Sequence, residues 1–162
     1  MVQLVELDDA LRRQVEQFRG SVVVSRGRVH RMEELAGFVA LERSEMIGLV
    51  TYAMEGNECE IVSLDSRAEN QGIGSRLLEL VIGRATDLGC GRVWLITSNA
   101  NIKAISFYQK RGFDMFAIHR DAITEARKQK PTIPMRSADG IWIRHEIELE
   151  YVIESKNKGE CI

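Results

Sequence analysis

Ile61-Val62-Ser63-Leu64-Asp65-Ser66, followed after one residue pair by Glu69-Asn70-Gln71-Gly72-Ile73-Gly74-Ser75-Arg76-Leu77-Leu78, is the stretch on which the fold turns. Its apolar opening reads as a buried strand. Leu77, Val81 and Leu88, flanked by Leu78, Ile82 and Ala85, then recur at helical spacing. Two glycines therefore stand in a turn between a strand and a helix start. Glycine adopts backbone conformations that other residues resist and lets a ligand come close to the main chain. The first N–H groups of a helix have no partner within it and carry the positive end of its dipole, which makes the turn a candidate anion site, most often for phosphate. A charge-assisted hydrogen bond contributes about 1.5–3 kcal/mol, so several convergent amides hold a pyrophosphate without a lysine. Taken alone, the turn also reads as a plain tight connection.

The neighbouring residues narrow the choice. No Lys-Ser or Lys-Thr pair follows the glycines, so this is not a Walker loop. A dinucleotide fingerprint is disfavoured, because Leu77 occupies the third glycine position and the next strand, Val93-Trp94-Leu95-Ile96-Thr97, has no acid at its end to hold a ribose. The string instead resembles the pyrophosphate loop of the GNAT superfamily of N-acetyltransferases, Gln/Arg-x-x-Gly-x-Gly/Ala, with Glu69 where that family usually has Gln or Arg. A second stretch, Asn101-Ile102-Lys103-Ala104-Ile105-Ser106-Phe107-Tyr108-Gln109-Lys110-Arg111-Gly112-Phe113, resembles the family's motif Asn-x-x-Ala-x-x-Phe-Tyr-x-x-x-Gly-Phe at every named position. On a helix, Asn101, Ala104 and Tyr108 share one face. An N-capping Asn and an ordinary core Tyr are the competing reading of that stretch.

The resemblance implies an α/β (α+β) fold: one domain over residues 1–154 with a mixed, mostly antiparallel central sheet, splayed central strands and flanking helices, then a polar tail over 155–162. It implies acetyl-CoA as the donor. The cofactor-binding set is Leu64, Asp65, Ser66, Asn70, Gln71, Gly72, Ile73, Gly74, Ser75, Asn101, Ala104 and Tyr108. In the family the pantetheine arm pairs with strand backbone at the sheet opening, a form of strand addition, and Leu64 to Ser66 are the matching positions. A backbone N–H near Leu64 would stabilise the oxyanion. Tyr108 occupies the position of the acid that protonates the leaving thiolate. Glu60 is the candidate base, since Glu60-Ile61-Val62 resembles the start of this strand in histone-type members; Glu58 is the alternative, and an exposed strand glutamate without chemistry the competing reading. By simple alternation Glu60, Val62, Leu64 and Ser66 share a face.

The chain of 162 residues has the length of one ordinary domain, and its 44% hydrophobic and 28% charged content is that of a globular protein. A net charge of −2 leaves no basic footprint for nucleic acid. Cys59, Cys90 and Cys161 lack metal-ligand spacing, and their odd number argues against a disulfide scaffold and for a reducing compartment. Without a leader pattern or an apolar run long enough to span a membrane, the expectation is a cytoplasmic monomer or homodimer with no metal.

Outside the motifs, residues 2–7 suggest a first strand, Asp8 or Asp9 a helix cap, and Leu11, Val15 and Phe18 a helical stripe ended by Gly20. Residues 21–25 suit an edge strand or connector. The basic residues 26–31 read as loop with His30 at the surface, and residues 32–35 as a helical turn. Residues 37–42, 46–54 and 58–66 form an antiparallel meander. Residues 122–130 read as a short helix or turn, with Arg127, Lys128, Lys130 and Arg136 at the surface or, as the competing reading, against the cofactor's ribose phosphate. Residues 142–154 alternate as a half-buried strand, whose glutamates form a solvated face and whose His145 is a satisfied histidine. The acceptor would be an amine held by residues 8–35 and 121–141, which carry no legible code. A non-catalytic acyl-CoA sensor is the runner-up, and a nucleotide-binding regulator a more distant one.

Overall fold

A computed structural model describes residues 1–20, 22–67 and 71–154. Seven strands form the main sheet in the order β1-β4-β5-β6-β7-β9-β8. They are β1 (Val2–Glu6), β4 (Ala36–Glu42), β5 (Glu45–Glu55), β6 (Glu58–Ser66), β7 (Arg92–Ser98), β8 (Asp114–His119) and β9 (Glu146–Val152). Only β6 and β7 run parallel; every other neighbouring pair is antiparallel. The mixed, mostly antiparallel α/β architecture is the one expected from the motifs.

The helices form where local signals place them. Helix α1 (Asp9–Arg19) starts at Asp8, whose side chain accepts from the Leu11 amide at 2.8 Å. An acid in its first turn and an arginine in its last complement the helix dipole. Helix α2 (Ile73–Asp87) packs Ile73, Leu77, Leu78, Val81 and Ala85 onto the sheet. Leu88 is exposed, because the helix ends there and the stripe closes at Ala85 instead. Helix α3 (Ile102–Gln109) is capped by Asn101, which accepts from the Ala104 amide at 3.1 Å. Helix α4 (Ala122–Ala126) is short.

Apolar residues alternate across the central strands into two cores. Phe38, Val50, Ile61, Val93 and Leu95 meet α2 and α3 on one face. Val39, Leu49 and Val62 meet α1 with Leu7, Val15 and Met32 on the other. Gly48 lets α2 settle on the first core: a Cβ there would lie 2.8 Å from Ile73 Cγ2.

Four expectations need correction. Residues 26–31 are not loop. Arg28–Arg31 is a strand, β3, that pairs with β2 (Val22–Ser25) across a two-residue turn, Arg26-Gly27, with both residues at positive φ. This hairpin lies over β6 and buries His30. Alternation fails along β6, because Thr51 pairs with Ser63 but Tyr52 with Ile61, so Val62 is an extra, bulged residue. Such a slip changes which face later side chains occupy. Glu60 and Val62 therefore look toward α1 and the hairpin, while Leu64 packs with the α2 core.

The predicted strand over 142–154 shortens to Glu146–Val152, and its glutamates are not a solvated row. Glu146 and Glu148 are buried: Arg92 and His119 each lie 2.8 Å from Glu148. Nor do the basic residues of 121–141 simply face solvent. Arg127 donates to the carbonyls of Ile133, Pro134 and Ile143 and so pins the connector. His145 is satisfied as expected, its Nδ1 accepting from the Asp121 amide at 2.8 Å.

Candidate active site

The parallel ladder between β6 and β7 ends early. It joins Glu58–Ile61 to Arg92–Leu95, after which neither strand continues the pairing although β6 runs on to Ser66 and β7 to Ser98. The neighbouring ladders hold the two strands from outside, with β6 bonded to β5 as far as Ser66 and β7 to β9 as far as Ser98. A wedge thus opens in mid-sheet, lined on one side by main-chain groups of residues 62–66.

The start of α2 stands over this wedge. Gly72 is its N-cap in the left-handed region, φ 71°, and among the described residues no side chain caps the helix. The first intrahelical bond runs from the Arg76 amide to the Gly72 carbonyl. The amides of Ile73, Gly74 and Ser75 consequently point outward without intrahelical partners. A cavity of about 390 Å³ lies against them. Leu64, Asp65 and Ser66 line it from β6, Gly72, Ile73, Gly74 and Ser75 from α2, and Asn101, Ala104 and Tyr108 from α3. Ten residues expected at the cofactor site thus meet at one cavity. Gln71 is exposed and outside the lining, and Asn70 lies outside the described residues.

Three lining residues were not expected: Lys103, Phe107 and Arg111. Arg111 donates from Nε to Ser75 Oγ at 2.7 Å and lies 3.7 Å from the Phe107 ring centroid. It adds a full positive charge beside the outward amides. Its place one turn beyond Phe107, within the second motif, was the available signal.

Tyr108 is buried where the cavity meets the α2 core. Its ring packs edge-on against Phe107 and Phe113 at centroid distances of 5.1 and 5.4 Å. The phenol has no hydrogen-bond partner among the described residues. Burial raises its pKa, Asp65 adds to the rise and Arg19 opposes it, so the group holds its proton. Cys59, buried beneath the sheet, has its thiol pushed up to about 12 by burial, with Cys90 and Glu60 adding. A thiol in that state is not a nucleophile at neutral pH. Among the described residues no group of three or more His, Cys, Asp and Glu side chains could hold a metal ion.

Glu60 does not line the cavity. It is buried on the other face of the sheet, beneath the β2–β3 hairpin. Ser25 Oγ donates to its Oε1 at 2.6 Å. His30 Nε2 is 3.1 Å from Oε2, yet this nitrogen makes no well-directed hydrogen bond among the described residues. Register places Glu146, Glu148 and Glu150 of β9 on this same face. Glu146 accepts from the Arg26 amide at 3.3 and 3.2 Å, and burial is the main cause of its raised pKa. Glu58 is bound instead to Arg92, 2.6 Å away.

Residues 4–113 match the Acetyltransferase (GNAT) family. The chain is 47% identical over 127 residues to the protein YdhI of Bacillus subtilis (strain 168), an alignment covering 78% of this chain and 79% of that protein. Its fold is similar to that of a GNAT family acetyltransferase from Elizabethkingia anophelis with acetyl-CoA bound, at TM-score 0.70 and 19% identity over 94% of this chain and 98% of that one. It is likewise similar to a Bacillus subtilis acetyltransferase in complex with CoA, at TM-score 0.69 and 19% identity over 95% and 100% of the two chains. Among the described residues no helix is long and apolar enough to cross a membrane.

Proposed function

Because the chain belongs to the GNAT acetyltransferase family, we propose that it transfers an acetyl group from acetyl-CoA to a primary amine of a small molecule, protein or peptide, by direct attack within a ternary complex. The observation that carries this reading is the convergence of outward helix amides, an open strand edge and a protonated phenol on one cavity. The amides of Ile73 to Ser75, with Arg111 beside them, suit the pyrophosphate. The β6 edge that faces the wedge beyond Ile61 suits the amide-bearing arm, and the Leu64 N–H the oxyanion.

The amine nitrogen forms a bond to the thioester carbonyl carbon, and the carbon–sulfur bond breaks. Tyr108 gives its proton to the departing sulfur and regains one from solvent. Glu60, on the sheet face opposite the cavity, takes the proton lost by the amine, directly or through a water, and releases it to solvent. The products are an amide and free CoA. The free thiol product makes the reaction readable by thiol detection.

The sealing of Glu60 by Ser25 and His30 favours one second reading, an acyl-CoA sensor of the same fold without turnover. Two measurements test the readings, and the second separates them. Millimolar acetyl-CoA should raise the melting temperature under either reading, by mass action on the folded state. Amine-dependent thiol release should appear only if the chain is an enzyme. No thermal shift would sink both.

A further inference from the structure

Around the last turn of α1, Arg19 holds a carboxylate while two further cations stand nearby, Arg67 against Phe18 and Lys130 within electrostatic reach of Arg19. Arg19 Nε lies 2.7 Å from Asp65 Oδ2, and its Nη groups have no acceptor among the described residues. Arg67 lays its guanidinium 4.3 Å from the centroid of Phe18 and has no carboxylate partner among the described residues. Lys130 reaches in from the connector after α4 and donates to the Val22 carbonyl at 2.9 Å, three residues beyond Arg19. Burial lowers the Lys130 pKa, and repulsion from Arg19 lowers it further. Like charges held together in a half-buried place are costly until an anion shares them. Asp65 is paired with Arg19, and burial disfavours its own charge.

The cluster adjoins the reacting centre. Asp65 is both the partner of Arg19 and a wall of the cavity that Tyr108 lines. It directly follows Leu64, and its side chain lies on the α1 face of the sheet, across from Leu49. An amine arriving from that face reaches the thioester past Arg19. Farther along the same face stand Glu60, buried beside Ser25 and His30, and Glu146, buried beneath the Arg26 amide.

We propose that the acceptor carries a carboxylate beside its reacting amine, as an amino acid does, and that Arg19 and Lys130 hold this carboxylate while the amine meets the thioester at Leu64. The inference rests on the acetyl-transfer reading. Guanidinium binds carboxylate through its remaining N–H groups, and the ammonium of Lys130 adds a second charge-assisted bond.

The test uses matched pairs that differ only in the carboxylate: lysine and cadaverine, histidine and histamine, tyrosine and tyramine. With thiol detection, the amino acid of a reactive pair should show the higher kcat/KM. Lys130→Met should shrink that ratio about 10- to 100-fold, the loss appearing in KM, and Lys130→Arg should restore most of it. Arg19→Gln should act in the same direction. A decarboxylated amine that equals or beats its amino acid, or a ratio unmoved in Lys130→Met, overturns the proposal. If no pair turns over, calorimetry in saturating CoA decides. Amino-acid binding that is lost in Lys130→Met supports the inference. CoA binding without amino-acid binding overturns it and leaves acetyl transfer standing. Absence of CoA binding overturns both.

Discussion

Replacing Tyr108 by Phe removes one oxygen from the centre of the proposed chemistry and little else. The phenol has no protein partner among the described residues, so no hydrogen bond is lost with it. The ring keeps its edge-on contacts with Phe107 and Phe113, each worth about 0.5–1.5 kcal/mol beyond simple burial. Melting temperature and CoA affinity should therefore stay near those of the parent. Turnover should not: a positioned general acid contributes about 100- to 10,000-fold. Burial, with Asp65 adding and Arg19 opposing, raises the phenol's pKa. The acid thus stays loaded beyond the ordinary tyrosine value of about 10, and the parent rate should show no alkaline fall from this group below it. The assay is thiol release at saturating acetyl-CoA and acceptor, beside calorimetric CoA binding and a thermal melt. Tyr108→Ala would mislead, because emptying so buried an aromatic site costs about 3–5 kcal/mol. A kcat within about threefold of the parent, or a loss appearing in CoA affinity instead, would refute the assignment.

Three further outcomes follow from the same geometry. Gly72→Ala meets no atom within 4 Å but forces a side chain onto φ +71°, so it should cost about 1–2 kcal/mol of stability and weaken CoA binding; an unchanged melt and dissociation constant would show that the turn does not need its glycine. Cys59 should resist iodoacetamide in the native protein, since its buried thiol ionises only near about 12, and peptide mass spectrometry showing rapid native labelling would contradict this. Glu146 carries a raised pKa, mainly from burial, so the folded state holds this proton more tightly than the unfolded one. Its contribution to stability therefore falls as pH rises from the ordinary carboxylate value through the folded one, and Glu146→Gln should gain on the parent as pH rises above that ordinary value; melts in which that difference shrinks would count against it.

What could be read from the sequence was local. Gly72 and Gly74 between a strand and a helical stripe, and Asn101, Ala104 and Tyr108 at one-turn spacings, fix their geometry within a few residues of themselves. The cavity accordingly gathers ten of the expected residues. What stayed hidden depended on distant partners. His30 looks like a basic-loop histidine until the hairpin folds over β6 and buries it against Glu60. Glu146 and Glu148 look solvated until Arg26, Arg92 and His119 arrive from other elements. Arg111 acquires its place through Ser75, on another helix. The bulge at Val62 shows in no periodicity, yet it alone sends Glu60 and Leu64 to opposite faces.

The short ladder between β6 and β7 has a mechanical consequence. One half-sheet, β1-β4-β5-β6, and the other, β7-β9-β8, share a seam only four residue pairs long. A guest laid into the gap with its own amide groups would act as a stitch, extending the seam and making the halves melt as one body. Amide exchange at residues 62–66 should then slow in step with guest occupancy, while strands away from the seam respond only through global stability.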